Sequence, residues 1–324
     1  MQIPIHDSFR SLTVMEYLSI LWPERSQRTL IALFKSGEIQ SRGKPVSRGQ
    51  PLADFDQLTL TRDLNDLPSI LTTNPDSSFP SSIEILHEDH RLLVLSKPSG
   101  VPVIQDMEKK IESCLEYLIR RELRARESKS PAEIIRYRTV HRIDRFTSGL
   151  VLFARTLEYE RQFSKEFEGG RIAKEYLAMV QGIVPAARIT VDCPIGPGRK
   201  GKMRALPASE GQSSDSQSPR HALTHFEVLE RFKETTLVRA RPKTGRTHQI
   251  RVHAWAAGHP LAIDSLYRVG QYLKNQISVP GIDRLTLHAH RYTLPNTWEA
   301  PRKFECPIPK DFSKALDALR ETFS

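Results

Sequence analysis

The stretch HRIDRFTSGL, from His141 to Leu150, places one carboxylate between two guanidinium groups and leads into the apolar run GLVLFA, which predicts a buried strand. Asp144 has Arg142 and Arg145 as close neighbours along the chain. An aspartate that is ionised and partly buried can act as a nucleophile or a base. A loop salt bridge is the simpler explanation of an isolated Arg-x-Asp-Arg pattern, so the rest of the chain has to decide between the two.

Composition indicates a globular protein with a polyanionic partner. The chain has 324 residues, of which 39% are hydrophobic and 27% charged, as is typical of a soluble protein with about two domains. The formal net charge of +10 favours nucleic acid as the partner, although an unspecialised basic surface would have the same charge.

Cysteine usage and hydropathy predict a cytoplasmic protein with no membrane contact. Cys114, Cys193 and Cys306 lie far apart, without metal-ligand or redox spacing, and are expected to be free thiols in a reducing compartment. The N-terminus lacks the pattern of a secretory signal, and the apolar runs are too short to span a bilayer.

Residues 1–62 are predicted to form a small module of two helices and short strands. SLTVMEYLSILWP and SQRTLIALFKSG have helical spacing, and the following residues alternate apolar positions with Gly and Pro turns. Through Arg28, the Lys35-Ser36-Gly37 helix end and the Gly43–Val46 turn, the module resembles the αL RNA-binding module named after ribosomal small-subunit protein four. A basic helical cap on the main domain remains the alternative.

The segment 63–82, rich in Pro, Ser, Asn and Asp, is predicted to be a linker to a second domain, 83–324. This domain has many apolar strand patterns and few long helices. One helix is expected over TLEYERQFSKEFEGG, with Thr156 as its cap and Gly169 at its end; a charged helix is expected over 108–126. Spacing alone leaves the order of the strands open.

A second polar cluster lies between Arg246 and His253. In a helix begun near Thr247, His248, Arg251 and Trp255 would share one face. An arginine on a rigid helix suits the role of fixed counter-ion to a catalytic carboxylate.

Metal and serine-nucleophile chemistry fit these motifs poorly. His248, His253 and His259 do not have His-Glu-x-x-His spacing, and no acidic residue accompanies them, so we predict no metal site. Thr147-Ser148-Gly149 is not a Gly-x-Ser-x-Gly nucleophile elbow, which argues against a serine hydrolase.

Four blocks together resemble the RluA-type RNA pseudouridine synthases, the ribosomal large subunit pseudouridine synthase family, and stand in the order found there. The blocks are HRIDRFTSGL, KEYLAMVQG, TGRTHQIRVHAWAAGHPLAIDSLY and LTLHAHRYTLP. The upstream EDHRLLVLSKPSGVPV is also similar, and the resemblance covers roughly residues 83 to 310. It implies an α+β catalytic domain with a mixed, mainly antiparallel sheet, joined here to a small N-terminal α/β RNA-binding module.

The resemblance also implies roles for individual residues. Asp144 looks like the catalytic aspartate, and Arg251 looks like the side chain that pairs with it. Tyr176 is expected to stack on the target uracil. Arg142 is expected to fill the space left by the flipped nucleotide, and His248 is assigned to substrate binding.

The implied reaction converts uridine to pseudouridine. It breaks the N1–C1′ bond, turns the base and rejoins it through C5, so no cofactor is expected. Large-subunit rRNA is the expected substrate and tRNA the next, and the protein is expected to be a monomer. Two alternatives stay open: a non-catalytic RNA-binding or ribosome assembly factor, and a metal-independent ribonuclease that uses His141 or His248 with Asp144.

Three residues depart from the family pattern. Phe146 stands where an acidic residue is frequent, Ile263 where glycine is frequent, and Arg268 where glycine is usual. They put local loop shape and substrate choice in doubt more than activity.

Overall fold

The computed structural model describes residues 2–5, 10, 12–22, 27–62, 83–104, 114–115, 118–119, 137–199, 202–206, 218–267 and 279–322. The predicted linker, Arg268 and most of the predicted helix 108–126 lie outside these residues. In the described part of the chain, no helix is long and apolar enough to cross a membrane.

The chain divides into two compact units. One comprises Met1–Ser81 with Ile104–Arg136, and the other Ser82–Val103 with Tyr137–Ser324. Residues 104–136 group with the first unit although they had been assigned to the second domain, but most of them lie outside the described residues. The boundaries 1–62, 63–82 and 83–324 therefore stay a prediction.

The first unit contains the helices α1 and α2, a 3-10 helix at Leu52–Asp54 and a four-stranded antiparallel sheet of order β1-β4-β2-β3 among the described residues. The elements are β1 (Gln2–Pro4), α1 (Val14–Leu21), α2 (Gln27–Lys35), β2 (Ile39–Ser41), β3 (Lys44–Pro45) and β4 (Gln57–Leu60). Thr13 caps α1 in a reciprocal pair with Glu16, which satisfies free N–H groups at the helix start. Leu18, Leu33 and Leu58 belong to the buried core of this unit.

The second unit contains a ten-stranded sheet, counted over the described residues. Its strands and helices are β5 (Glu84–Glu88), β6 (Leu92–Lys97), β7 (Arg138–Thr139), β8 (Ser148–Ala154), α3 (Leu157–Glu168), β9 (Ala173–Gln181), β10 (Arg188–Asp192), β11 (Ile195–Pro197), β12 (Met203–Ala205), β13 (Leu223–Arg231), β14 (Thr235–Pro242), α4 (Gln249–Ala256), β15 (Leu287–Thr293), β16 (Lys303–Glu305) and α5 (Lys310–Glu321). Strands β11 and β12 form a separate hairpin. As predicted, Thr156 caps α3 and Gly169 ends it.

The main sheet runs β10-β13-β14-β9-β15-β8-β6-β5, with β7 paired to β8 and β16 to β15. The pairs are antiparallel except β15 with β8, which is parallel. The predicted α+β class with a mixed, mainly antiparallel sheet is confirmed. Because β14, β9, β15 and β8 are neighbours, residues near the ends of these strands meet although they are distant in sequence.

The parallel contact requires a glycine in β8. Gly149 has φ +113, and a Cβ atom there would lie 2.7 Å from Ala289 N and overlap the Ala289 carbonyl. The whole of β8 is buried. Gly149, which ends the Thr-Ser-Gly after Asp144, thus permits the close approach of β15.

We expect Gly149→Ala to lower the free energy of unfolding by about 3 kcal/mol or more, because it combines a backbone clash with a strained conformation. Gly281→Ala is the matched control, since Gly281 has φ +70 but no atom within 4 Å of the added Cβ. The control should lose only about 1 kcal/mol. Chemical denaturation measures both values, and equal losses would contradict the steric explanation.

Candidate active site

Asp144 and Arg251 lie in contact although 107 residues separate them. Arg251 Nη1 donates to Asp144 Oδ2 at 3.0 Å, so the pairing implied by the family resemblance is present. Among the described residues, Arg251 is the cation in ion-pair contact with Asp144, whereas Arg142 is exposed beside it. A loop salt bridge with the sequence neighbours therefore does not explain Asp144.

A second carboxylate fixes the orientation of Arg251. Arg251 Nε and Nη2 each donate to Asp264 at 2.7 Å, which leaves Nη1 directed at Asp144. The side chain of Asp264 is 1% exposed and that of Arg251 is 5% exposed. Burial alone would lower the pKa of Arg251, but the two carboxylates raise it, so its charge is permanent.

Asp264 itself was missed as a site residue in the sequence. It appeared only within the LAIDSLY segment, next to the departure at Ile263. Its Oδ1 also accepts from the backbone N–H groups of Leu266 and Tyr267, at 2.8 and 3.2 Å. The contacts of Asp264 with its own turn and with both Nε and Nη2 of Arg251 depend on the three-dimensional fold, so the sequence alone does not show them.

The start of α4 differs from the expectation. The helix begins at Gln249 rather than near Thr247, and His248 is its N-cap in the left-handed region at φ 56. His248 is therefore outside the helix and does not share a helical face with Arg251. Its Nδ1 lies 2.8 Å from Tyr267 Oη. Burial lowers the pKa of His248, against the opposing effect of Asp144, so the ring is neutral near pH 7. Trp255, expected on the same face, is exposed.

Tyr176 lies in β9 and is held through its hydroxyl group. Tyr176 Oη is 2.8 Å from Oη of Tyr292, which is fully buried on β15. Burial raises the pKa of Tyr176 to about 12, so the phenol is neutral at physiological pH. The side chain can therefore offer a ring face but not a phenolate base.

Lys97 fastens the loop that carries Asp144. Its buried Nζ donates to the carbonyl oxygens of Pro98, Val101 and Arg145 at 2.9, 2.8 and 2.9 Å. Burial lowers its pKa to about 7, against the opposing effect of Asp144. Arg145, for which the sequence suggested no role, donates from Nε to Gly100 O at 2.7 Å. These contacts tie the KPSG turn to the residues that follow Asp144.

Two of the three departures from the family pattern, Phe146 and Ile263, lie within the described residues. The Phe146 ring is 47% exposed and lies under the Arg145 guanidinium group, 5.2 Å from its carbon. Ile263 is partly buried, and its N–H donates to Thr286 Oγ1 at 3.3 Å.

His141 is a neutral, structural histidine. Its Nε2 accepts the backbone N–H of Leu152 at 3.0 Å, and its ring stacks on Phe167 with centroids 4.2 Å apart. Burial, with the nearby charge of Lys174, lowers its pKa to about 3. Because Nε2 is occupied and the ring resists protonation, His141 is a poor general acid or base.

The carboxylate of Asp144 faces a cavity of about 360 Å³. All five predicted site residues line it, namely Arg142, Asp144, Tyr176, His248 and Arg251. The volume is in the range of small-molecule pockets, so the cavity has room for a base and part of its nucleotide. Within the described residues, no group of three or more His, Cys, Asp or Glu side chains is placed to hold a metal ion.

The state of His141 predicts a pH dependence of stability. Its pKa is about 3 in the fold against 6.5 ordinarily, so below about pH 6.5 the unfolded chain takes up a proton that the folded chain does not. Stability is therefore lost as pH falls, by up to about 1.4 kcal/mol per pH unit. His141→Gln keeps an acceptor for Leu152 without this titration.

We expect the stability advantage of the unmodified protein over His141→Gln to shrink between about pH 7 and about pH 5. Urea denaturation of both proteins across this range measures it. Parallel pH profiles would show that His141 is not held neutral.

Comparisons with known proteins show the family of this chain. A family model described as RNA pseudouridylate synthase matches residues 91–256. The "Ribosomal large subunit pseudouridine synthase C" of Yersinia pestis is 37% identical over 73% of this chain and 69% of its own length. The protein of that name from Escherichia coli (strain K12) is 35% identical over 73% of this chain and 70% of its own length. The solved structure "Human RNA Pseudouridylate Synthase Domain Containing 4" superposes with a TM-score of 0.56 at 25% identity, covering 73% of this chain and 92% of that one. The resemblance of the four sequence blocks is thereby confirmed, and this chain belongs to the RNA pseudouridylate synthase family.

Proposed function

We propose that this protein isomerises uridine to pseudouridine in RNA, with Asp144 as the catalytic group. The observation that carries the proposal is the placement of Asp144 in a cavity that can admit a base, with its charge met by Arg251 and Arg251 held by Asp264. Large-subunit rRNA is the proposed substrate, because relatives that cover most of the chain are named for it. Structured tRNA is the second candidate.

The chemistry needs few groups because the reaction is an isomerisation. The N1–C1′ bond breaks, a C5–C1′ bond forms, the C5 proton leaves to solvent and N1 acquires one. A glycoside hydrolase needs a second carboxyl group to activate water or protonate the leaving group, and an enzyme that retains the base does not. The carboxylate of Asp144 serves either attack on the sugar or base, or removal of a sugar proton.

The other cavity residues are proposed to bind the flipped uridine. The target uridine has to leave its stack, which costs a few kcal/mol, and the enzyme has to recover this energy by contacts. The neutral ring of Tyr176 offers a stacking face to the uracil. The exposed Arg142 at the rim is suited to fill the vacated space, and His248 is within reach of the substrate as a neutral donor or acceptor.

The N-terminal module is proposed to add RNA affinity. Lys44 and Arg48 are exposed on it, whereas the charge of Arg42 is compensated by Asp56 at 2.6 Å. Positive side chains attract phosphate groups regardless of sequence.

We expect the protein to act as a monomer in the cytoplasm.

The two alternatives fit less well. A ribonuclease would need His141 or His248 to change its protonation state, but burial lowers the pKa of both rings. A binding factor without activity would have no need for a buried arginine that bridges two carboxylates, because burying such charges costs several kcal/mol.

RNA labelled with tritium at uracil C5 tests the proposal, because formation of pseudouridine releases that label to water. The unmodified protein should release tritium from a large-subunit rRNA transcript without cutting it. Asp144→Asn should lower the rate by about a thousandfold or more, since the ionised oxygen is lost while the shape is kept. Asp317→Asn, an exposed change on α5, is the matched control and should stay active.

Strand cleavage by the unmodified protein would favour the ribonuclease. An absence of release from every cellular RNA would favour the binding factor. Full activity of Asp144→Asn would remove Asp144 from the chemistry.

A further inference from the structure

The wall of the cavity formed by β9 and the segment after β14 carries two cations that the proposed chemistry does not use. Lys174, on β9, is 7% exposed, and its Nζ donates one hydrogen bond, to Thr244 O at 3.0 Å. The Arg246 side chain donates Nε to His221 O at 2.9 Å. Both residues line the same cavity as Asp144.

These two charges lack an anionic partner. In the described part of the chain, neither Lys174 nor Arg246 forms an ion pair with a carboxylate, although Glu168 also lines the cavity. Burial and then the charge of Arg246 lower the pKa of Lys174 to about 8, so it is still mostly charged near neutral pH. Two like charges kept together in a partly buried wall are unfavourable unless an anion joins them.

The backbone leaves this wall open. Gly245 lies between Thr244 and Arg246, and a Cβ on it would stand 3.9 Å from Lys174 Nζ. Because glycine has no side chain, nothing from position 245 fills the space in front of the ammonium group. Lys174 uses one of its three N–H donors on Thr244, so the others are available to a ligand.

We propose that Lys174 and Arg246 form a subsite for the phosphodiester group that adjoins the flipped uridine. This inference rests on the proposed function and deepens it. A phosphate group carries the negative charge that the two cations require. Arginine binds phosphate through paired N–H groups in one plane, and lysine binds it through its compact ammonium charge. The uracil carbonyls are neutral and cannot balance both.

The assignment has a kinetic signature. The charge on the phosphodiester does not change when the glycosidic bond breaks, so the contact stabilises ground state and transition state equally. Loss of the contact should therefore raise KM and leave kcat nearly unchanged. A contact to a uracil oxygen on which charge develops would instead lower kcat.

The test uses tritium release and filter binding on a large-subunit rRNA transcript, with Lys174→Met and Arg246→Gln as separate variants. Arg246 is less buried than Lys174, so it provides the second variant if Lys174→Met folds poorly. Lys233→Met is the matched control, because it also removes one positive charge. Lys233 is exposed and precedes the start of β14, whereas the cavity lies at the other end of that strand, at Pro242. Thermal denaturation checks that each variant is folded.

We expect each cavity variant to raise KM about tenfold or more at nearly constant kcat. The slope of log binding constant against log salt concentration should become shallower by about one, the effect of one lost phosphate contact. Lys233→Met should change neither quantity. A fall in kcat with constant KM, or unchanged KM and salt slope in both variants, would overturn the subsite.

The two proposals fail separately. If the unmodified protein releases no tritium, the proposed isomerisation is wrong, while the salt slopes from filter binding still decide on the phosphate contact. If it releases tritium but the variants match it in KM and slope, the subsite alone is wrong.

Discussion

The ion pairs of Arg251 determine how this site is built. Arg251 is almost completely buried, and a buried guanidinium group is tolerated only with well-placed partners. Its Nε and Nη2 donate to Asp264, and Nη1 points at Asp144, whose side chain is 25% exposed. Asp264 thus immobilises Arg251, and Arg251 in turn orients the more exposed Asp144. This gives Asp144 a fixed position and leaves its carboxylate open to the cavity.

The sheet brings the parts of this pair together. β8 begins four residues after Asp144, and Tyr176 lies on β9 beside the β15 strand that pairs with β8. Gly149 permits the parallel contact of β8 with β15, and Lys97 fixes the loop carbonyl of Arg145. The same strand order places Lys174 and the segment after β14 on another wall of the cavity. One sheet therefore positions both the proposed catalytic carboxylate and the two cations proposed to bind phosphate.

Sequence patterns predicted some of these features well and others poorly. Local periodicity located α3 with its Thr156 cap, because helix capping is a short-range property. The contact of Asp144 with Arg251 followed from the family resemblance, since spacing says nothing about pairs 107 residues apart. Asp264 was missed because its fork onto Arg251 depends on the fold of a turn, and the left-handed His248 shifted the start of α4 beyond what periodicity indicates. Strand order depends on long-range pairing, which alternation of apolar residues does not encode.

The rate of pseudouridine formation in single turnover, with RNA saturated by protein, tests the Asp264–Arg251–Asp144 arrangement most directly. The proteins to compare are the unmodified enzyme, Asp264→Asn, Arg251→Ala and the double variant. We expect each single change to slow the reaction about tenfold or more, and the double variant to be no slower than Arg251→Ala, because Asp264 acts through Arg251. A normal rate in Asp264→Asn, or losses that multiply in the double variant, would contradict this arrangement.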